Sequence, residues 1–525
     1  MSQLLTTRLS QLNKASWKST IQGIRRGIER ETLRINPNGT LAQTDHSKKL
    51  GSALTHPLIT TDFSESLLEF ITPAQSDIPT TLAQLEDIHR FAVRQLGDER
   101  LGAGSMPCYI AHQDEIRLAQ YGISNVGRMK TLYRKGLKNR YGSMMQAISG
   151  VHFNFSIPTE FWQNYQQLLD DKSPLDDFIS NQYLWLIRNY KRYVWLIVYL
   201  FGASPTMCKS FLEGRSSKYP FSPLGEGSLF LPYATSLRMS DLGYTNSAQS
   251  ALAVSYNSLS EYISGLQRAI STPSTEYQAI GLKVDGEYQQ LNANILQIEN
   301  EFYSTIRPKR TIKSGERPTC ALSKRGVEYI EVRALDVNPF SPVGIDADQM
   351  RFLDVFLLYC LFEDSPAMSA EQQELADVNL KKVVVEGRRQ GLDLLENGSP
   401  RLMQDWAEQL FADLLPIAHW LDDSMGTDLY AKAVKQYYVT LLNPALTLSG
   451  KMLAMQQAPA GEKVLSSLSE QYKAYFLQGD YQHYQQSEFE ALALSSIAEQ
   501  QMIEQQDELS FDAYIAEYFV EKPCI

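Results

Sequence analysis

The sequence predicts an α+β fold, in which an antiparallel sheet is surrounded by helices and followed by a mostly helical C-terminal region. Three observations predict it: strand-like segments recur between residues 26 and 335, segments of helical periodicity separate them, and the chain after residue 346 has helical spacing with few glycines. At 525 residues the chain exceeds one hydrophobic core. We therefore divide it into a mixed region, 1–370, and a helical region packed on it, 371–525.

The N-terminal part alternates helices and strands. Leucines at helical spacing predict an amphipathic helix over residues 1–22. Strands are predicted at 26–35 and 66–72, with a helix from about 79 to 97 between that pair and the next strand. Residues 150–156 alternate apolar and polar side chains, which predicts a strand whose polar face could line a cleft.

The middle of the chain contains long helices and further strands. The aromatic-rich segment 175–203 predicts a helix, and residues 204–228 contain the Pro, Gly and Ser of loops. A second helix is predicted over 247–270. Residues 289–297 and 326–335 resume strand character, so strands and helices are mixed rather than regularly alternating as in a doubly wound sheet.

Two carboxylates on the first predicted strand are the most informative feature of the sequence. Glu29 and Glu31 are two residues apart, and such side chains share a face of a strand. At ~4 Å and an effective dielectric constant near 20, their repulsion is roughly 4 kcal/mol. Because a purely structural strand gains nothing from this arrangement, the pattern predicts a bound divalent metal ion.

Three further acids have a similar setting. Asp62 lies in a turn before an apolar segment that contains Glu69, and Glu331 lies on the strand at 326–335. One such acid alone would more often belong to an ordinary ion pair, but several together favour a metal site. Carboxylate oxygens select Mg²⁺ or Mn²⁺, and magnesium held in this way usually shares its coordination with substrate phosphates. A nucleoside triphosphate is therefore the favoured partner.

Cationic residues would handle the remaining phosphate charge. Arg333 lies on the same strand face as Glu331 and could contact a γ-phosphate, although a simple ion pair with that acid is equally compatible with the sequence. Segments 131–141 and 231–244 combine Arg and Tyr, as amino-acid binding sites do. A solvated basic face is the alternative there, favoured for Lys135 and Lys138 and reasonable for Arg140.

Composition and absent motifs exclude other classes. The net charge of −11 argues against nucleic-acid binding, and five scattered cysteines give neither a zinc ribbon nor a disulfide framework. The apolar run 194–203 is too short to span a bilayer, and no apolar leader precedes it, so we expect a soluble cytoplasmic protein. The sequence contains no HExxH, Walker A, GxGxxG or GxSxG motif, so zinc hydrolases, P-loop and Rossmann proteins and serine hydrolases are not supported.

Long stretches of the sequence resemble the bacterial glutamate–cysteine ligase (γ-glutamylcysteine synthetase) family. They cover most of residues 20–345 and include GIERETLR, TDFSESLLEFITP, TLYRKGLKNRYG, ISGVHFNFS, LPYATSLRMSDLGYTN, LQIENEFYSTIRPKR and GVEYIEVRALDVNPFSP. Residues 157–182 and those beyond about 370 depart from the family pattern. The resemblance implies a glutamine-synthetase-like catalytic region, 1–370, whose antiparallel sheet forms a concave platform. It also implies ATP- and Mg²⁺-dependent ligation of the glutamate γ-carboxyl to the cysteine amine.

The resemblance also implies roles for individual residues. Two or three Mg²⁺ ions, with Mn²⁺ as an alternative, would be held by Glu29, Glu31, Asp62, Glu69 and Glu331. Arg333 would stabilise the transferred phosphoryl group beside Glu331, and Arg134 and Arg238 would bind substrate carboxylates. The cysteine pocket would comprise Phe63, Tyr133, Tyr244 and Tyr303. The glutamate or nucleotide side would be lined by Gln146, His152 and Asn154.

Two other functions remain open from the sequence. A related carboxylate–amine ligase could use another amine, and a non-catalytic metal-binding protein could retain the same platform. The aromatic pocket argues against ammonia as acceptor, and Arg333 with the complete acid set argues against a non-catalytic protein. The expected partners are glutamate, cysteine and ATP, without nucleic acid or membrane, and a monomer is slightly favoured.

Overall fold

The computed structural model describes residues 2–13, 15–212, 214, 216–242, 252, 254–313, 316–459 and 461–520. The helices are α1 Gln3–Leu12, α2 Ala15–Ile21, α3 Ile78–Gln95, α4 Asn125–Tyr141, α5 Thr159–Leu168, α6 Leu175–Phe201, α7 Leu259–Ser271, α8 Thr275–Ile280, α9 Pro318–Arg325, α10 Ala347–Phe362, α11 Ala370–Glu386, α12 Met403–Met425, α13 Leu429–Leu442, α14 Leu448–Gln457, α15 Val464–Gln478, α16 Gln486–Gln505 and α17 Phe511–Phe519. The strands are β1 Arg25–Ile35, β2 Ile59–Thr61, β3 Leu67–Ile71, β4 Arg100–Leu101, β5 Gly150–Ser156, β6 Thr206–Cys208, β7 Ser222–Leu224, β8 Ser228–Phe230, β9 Lys283–Val284, β10 Glu287–Tyr288, β11 Ile306–Lys309, β12 Tyr329–Asp336, β13 Asp393–Glu396 and β14 Ser399–Leu402.

A seven-stranded sheet forms the centre of the molecule. Its strand order is β11-β12-β5-β1-β3-β2, with β4 paired to the end of β1. Each of these pairings is antiparallel. Helices surround this sheet and make up most of the chain after residue 346, which confirms the predicted α+β class.

The two faces of the sheet differ in chemistry, and β1 illustrates the difference. Its side chains alternate, so Glu29 and Glu31 face one side while Ile28 and Arg26 face the other. The second side packs against α3, α6 and α10 in the main hydrophobic core. Arg26 is buried there in an ion pair with Asp354 of α10, with 2.7 Å between Nη2 and Oδ2.

Most predicted elements are present. The strands at 26–35 and 66–72 correspond to β1 and β3, and the half-polar strand at 150–156 is β5. The helix predicted near 79–97 is α3, whose N-terminus is fixed by the Asp77 side chain accepting the backbone N–H of Thr80. The helix predicted over 1–22 is divided into α1 and α2.

The strand predicted at 289–297 is wrong. The neighbouring Glu287–Tyr288 pairs with β9, and within 289–297 the described pairing is one isolated bridge between Asn294 and Pro273. Side-chain amides bind the backbone here instead of leaving it to a ladder: Asn292 Nδ2 donates to the Gln297 carbonyl, and Gln297 Oε1 accepts the N–H of Leu291. Such local competition is invisible to a pattern of alternating side chains.

Three other segments differ from the predictions. Residues 204–228 contribute to a small sheet in the order β6-β8-β7 rather than only loops. The helix predicted over 247–270 begins at Leu259, because Ser258 caps it by accepting the N–H of Glu261, and residues 243–251 and 253 lie outside the described part. The helical region contains the hairpin β13–β14, whose Asn397-Gly398 turn has the positive φ angles of a tight hairpin.

Two chain-wide expectations can be compared with the structure. Among the described residues, no helix is long and apolar enough to cross a membrane. Cys320 is disulfide-bonded, which the scattered cysteine spacing did not predict. Cys108, Cys208 and Cys360 are free thiols.

Candidate active site

Strand register brings the predicted acids together on one face of the sheet. Glu29 lies opposite His152 across the β1–β5 pair, and Glu31 lies opposite Glu69 across the β1–β3 pair. On β12, Glu331 lies opposite Asn154. A cavity of about 390 Å³ covers this face. Residues from four neighbouring strands therefore converge on one cavity.

Most of the predicted site residues line this cavity. They are Glu29, Glu31, Asp62, Phe63, Glu69, Tyr133, Arg134, Gln146, His152, Tyr303, Glu331 and Arg333. Asn154 lies directly behind the lining, where its Nδ2 donates to Glu29 Oε1 over 2.9 Å. Tyr244 lies outside the described residues.

His152 joins the acids as a candidate metal ligand. Its Nδ1 lies 2.9 Å from Glu29 Oε2 and 3.9 Å from Glu331 Oε1, and its Nε2 lies 3.6 Å from Glu31 Oε1. One ligand atom from each of Glu29, His152 and Glu331 lies within 4.8 Å of the others, the only such group among the described residues. The donor set, rich in carboxylate oxygens with one imidazole, fits Mg²⁺ or Mn²⁺.

The acidic end of the cavity gathers the carboxylates of Glu29, Glu31, Asp62 and Glu69. Burial, together with the charges of Glu29, Asp62 and Glu31, raises the pKa of Glu69 well above its usual value. Burial likewise raises the pKa of Glu31. The raised pKa values reflect a cost of ionising Glu69 and Glu31 in the buried cavity, and a cation bound at this end would offset that cost.

The opposite end is dominated by cations around Glu331. Lys309 Nζ lies 3.2 Å from Glu331 Oε1, and Arg333 Nη1 lies 3.3 Å from Glu331 Oε2. Burial alone would raise the pKa of Glu331, but Lys309, Arg333 and His152 hold it well below its usual value. Arg333 thus makes the ion pair that the sequence left as an alternative, while still lining the cavity.

Arg307 and Lys309 were missed by the sequence analysis. Both line the cavity from β11, where Arg307 lies opposite Glu331. Burial and the nearby Arg333 lower the pKa of Arg307, whose Nη2 donates to the Asn300 carbonyl over 3.0 Å. Their two-residue spacing could have indicated that they lie together, because side chains two apart on a strand share a face.

The two arginines predicted to bind carboxylates have different positions. Arg134 lines the cavity, donates to the carbonyls of Asp62 and Lys130, and stacks over the Tyr121 ring with 4.5 Å to its centroid. Arg238 is 2% exposed and is absent from the lining residues. Its Nη2 donates to the Arg333 carbonyl over 3.0 Å, so it contacts the strand beneath the site.

The expected basic face on α4 requires one correction. Lys138 forms an ion pair with Asp114 at the surface, with 2.9 Å between Nζ and Oδ1, which is consistent with a solvated face. The Arg140 side chain is instead 0% exposed and forms a buried ion pair with Glu301, which is 1% exposed. Glu301 also lines the cavity and was not predicted.

Comparison with known proteins gives concordant results. The family model described as glutamate-cysteine ligase matches residues 9–383. Glutamate–cysteine ligase of Pseudoalteromonas translucida is 51% identical over 518 residues, 98% of each chain. That of Alcanivorax borkumensis is 50% identical over 527 residues, 98% of this chain and 99% of its own.

Solved structures with similar folds include a member of the same family. Glutamate–cysteine ligase of Francisella tularensis in complex with AMP superposes with a TM-score of 0.89 at 38% identity, covering 94% of this chain and 97% of that one. A bifunctional glutathione synthetase from Pasteurella multocida gives a TM-score of 0.70 at 25% identity, covering 93% of this chain and 58% of that one.

Proposed function

The chain belongs to the glutamate–cysteine ligase family, and we propose that it joins the γ-carboxyl of L-glutamate to the amine of L-cysteine at the expense of ATP. The products are γ-glutamylcysteine, ADP and phosphate. This reaction is the first step of glutathione biosynthesis. The observation that carries this proposal is the single cavity in which an acidic end meets a cationic end. Such a cavity suits a metal-bound nucleoside triphosphate and a carboxylate substrate together.

The chemistry requires an activated carboxyl group. A carboxylate is a poor acyl donor toward an amine, so its oxygen first attacks the γ-phosphorus of ATP, giving γ-glutamyl phosphate and ADP. The amine nitrogen then attacks the acyl carbon and forms the amide bond. The carbon–oxygen bond to phosphate breaks, and the departing phosphate takes the bond electrons and the proton that the amine loses. Both steps need anions held close together in a fixed geometry, which the cavity provides through its opposed charges.

We assign the acidic end, together with the adjoining Glu331, to metal binding. Glu29, Glu31, Asp62, Glu69 and Glu331 would hold two or three Mg²⁺ ions, and His152 would join Glu29 and Glu331 as a ligand. When bound, these ions supply positive charge that offsets the repulsion between triphosphate and glutamate carboxylate. Asn154 orients this set by its hydrogen bond to Glu29.

We assign the cationic end to the phosphates. Arg333 would stabilise the phosphoryl group in transfer, and its distance of 3.3 Å from Glu331 keeps the guanidinium at the edge of the metal site. Lys309 and Arg307 face the same space from β11 and would contact the remaining phosphate oxygens. Three cations match the charge of a triphosphate tail more closely than Arg333 alone.

The amino-acid substrates would occupy the side of the cavity under α4. Phe63, Tyr133 and Tyr303, with Tyr244, would surround the cysteine side chain, and Arg134 would bind a substrate carboxylate. Gln146 lines the same cavity and would contact glutamate or the nucleotide. Arg238 would also bind a substrate carboxylate, although its Nη2 donates to the Arg333 carbonyl in the structure.

The test is an ADP-release assay with Mg-ATP and glutamate, run with cysteine, 2-aminobutyrate, ammonia or no acceptor. We expect release with cysteine, accompanied by a γ-linked dipeptide. A pocket that recognises a thiol mainly by size distinguishes a methylene-sized difference by only about 1–3 kcal/mol, so 2-aminobutyrate should also be accepted.

Each alternative result has a defined meaning. Release driven by ammonia but not by cysteine would assign the chain another amine and contradict the proposed acceptor. No release with any acceptor, from a chain that binds Mg-ATP, would favour a binding protein. No turnover with 2-aminobutyrate alongside normal turnover with cysteine would contradict only the size-based pocket.

A further inference from the structure

Two segments from distant parts of the sequence form facing walls of the cavity. Helix α4 contributes Tyr133 and Leu137, and the irregular segment 298–303 contributes Ile298 and Tyr303. The second wall has no strand or α-helix of its own to fix it, apart from a short 3₁₀ turn at Glu299–Glu301. Its distance from α4 must therefore be set by specific contacts.

A buried ion pair connects the two walls. Arg140 Nη1 lies 3.1 Å from Glu301 Oε1, and both side chains are almost completely inaccessible to solvent. Glu301 also accepts the Tyr141 hydroxyl from α4, and its Oε2 accepts the Gln297 backbone N–H over 2.7 Å. One carboxylate is thus bound simultaneously to the helix and to the segment opposite.

Arg140 extends this connection along the preceding chain. Its Nε donates to Gln290 Oε1 over 3.0 Å, and its Nη2 donates to the Asn292 carbonyl over 2.6 Å. The guanidinium lies over the Tyr277 ring, 4.2 Å from the centroid. Arg140 does not line the cavity, so its effect on a bound substrate can only be indirect.

A second contact holds the same two segments close together. Gln297 is fully buried, and its Nε2 donates to the Tyr133 carbonyl over 3.3 Å. The amide lies so close to Gly136 that a Cβ at this position would overlap it. A side chain at the Gly136 position could therefore be accommodated only if the Gln297 amide moved away from α4.

We propose that the Arg140–Glu301 ion pair sets the gap between α4 and segment 298–303, and thereby the side-chain size of the amine acceptor that the cavity accepts. This inference rests on the proposed ligase function. Arg140 is a positioning residue: it aligns Glu301 and the wall that contains Tyr303. A looser gap would admit a longer side chain and hold cysteine less well. Its effect on the cationic end should be smaller, because Lys309 and Arg333 lie on β11 and β12, although Arg307, the third cation there, hydrogen-bonds the segment at the Asn300 carbonyl.

The test compares acceptors of increasing length in the native chain and in Arg140→Lys. The ratio of kcat/KM for 2-aminobutyrate to that for 2-aminopentanoate measures the size limit. We expect this ratio to fall about tenfold and the KM for cysteine to rise about fivefold, while the KM for ATP changes less than about twofold. Glu301→Gln should change the ratio in the same direction.

Two further variants separate positioning from general destabilisation. Asp354→Asn weakens an equally buried ion pair, Arg26–Asp354, on the opposite side of the sheet. It should lower the melting temperature while leaving the acceptor ratio unchanged. Gly136→Ala keeps both charges but displaces Gln297, so it should lower the ratio as Arg140→Lys does, and it provides the answer if Arg140→Lys does not fold.

An unchanged acceptor ratio in a folded Arg140→Lys protein, or in Gly136→Ala in its place, would overturn this inference. So would an equal fall of the ratio in Asp354→Asn. A native chain that releases no ADP with cysteine would instead contradict the proposed function. The two failures are distinguishable because the first requires an active native chain.

Discussion

Glu331 experiences opposing influences in the cavity. It is buried on β12, which would favour the neutral acid, yet Lys309, Arg333 and His152 surround it and hold its pKa well below the usual range. The surrounding cations therefore favour its ionised form. It lies between the proposed metal ligands and the proposed phosphate-binding cations, so we expect both ends of the site to depend on it.

Replacing Glu331 with glutamine tests that dependence. The change preserves shape and removes one charge, so we expect kcat for ADP release to fall by at least about a hundredfold while the fold remains intact. Steady-state kinetics and far-UV circular dichroism measure the two effects. Unchanged catalysis would remove Glu331 from the metal set.

Glu69 experiences the opposite electrostatic environment. Burial and three neighbouring acids raise its pKa well above the usual 4.5, so the ionised form destabilises the metal-free protein. We expect Glu69→Gln to raise the melting temperature of the metal-free protein by about 2 °C at pH ~8 and to reduce the further increase on adding Mg²⁺. Differential scanning fluorimetry with and without chelator measures both.

The pH dependence of this effect has a defined sign. Because the folded-state pKa of Glu69 exceeds the unfolded value, the native chain loses its penalty as the pH falls through the folded pKa toward 4.5. The advantage of Glu69→Gln should therefore shrink between about pH 8 and about pH 5. An advantage that grows on acidification would contradict the raised pKa.

At the scale of elements, the sheet is anchored to the helices by a buried ion pair. The Asp354 carboxylate on α10 accepts a hydrogen bond from Arg26 Nε and forms an ion pair with Arg26 Nη2. The Tyr430 hydroxyl lies 3.4 Å from Asp354 Oδ2. Asp354→Ala would leave the Arg26 charge buried without its carboxylate, which costs about 3–5 kcal/mol in comparable cases. Urea denaturation measures the loss. Asp428→Ala, which removes an exposed pair with Lys432, is the control and should change stability little.

The strands that form the site could be predicted because their local patterns are strong. Glu29 and Glu31 on β1, and Glu331 with Arg333 on β12, share faces by the two-residue repeat alone. Register across strands is a long-range property, and for this reason the position of His152 opposite Glu29 could not be derived. The same pattern would have identified Arg307 and Lys309, but Pro308 between them weakens the strand signal.

Irregular segments were the main source of error. Residues 289–297 alternate like a strand, yet their amide side chains bind the local backbone and hold the chain against α4. A solvated position for Arg140 was one of two interpretations open from the sequence. The sequence could not decide between them, because the partner Glu301 lies 161 residues away. In both cases the observed conformation depends on a contact with a segment far away in the sequence, Gln297 with Tyr133 and Arg140 with Glu301.

At the scale of the whole molecule, the C-terminal helices pack extensively on the region 1–370. Asp87 of α3 accepts the backbone N–H groups of residues 482–484, α15 packs on α3 and β4, and α17 packs on α4, a wall of the cavity. The core formed by α6 and α10 is completed by α12 and α13.

This packing predicts that the region 1–370 does not fold alone. Without α12 and α13, the apolar faces of α6 and α10 would be exposed to water. We expect the isolated fragment to be insoluble or to lack a cooperative thermal transition, in contrast to the full chain. Calorimetry of both proteins measures the difference. A cooperative, ATP-binding fragment would instead support 1–370 as an independent domain.

The alternation along β1 has a further consequence for how this sequence can change over time. Arg26, Arg30 and Arg34 point away from the cavity and are buried, whereas Glu29 and Glu31 point into it. Inserting or deleting one residue would exchange these two sets, placing arginines among the proposed metal ligands and acids in the apolar core. Length changes within β1 should therefore be absent from any functional descendant of this chain, even where individual substitutions are tolerated.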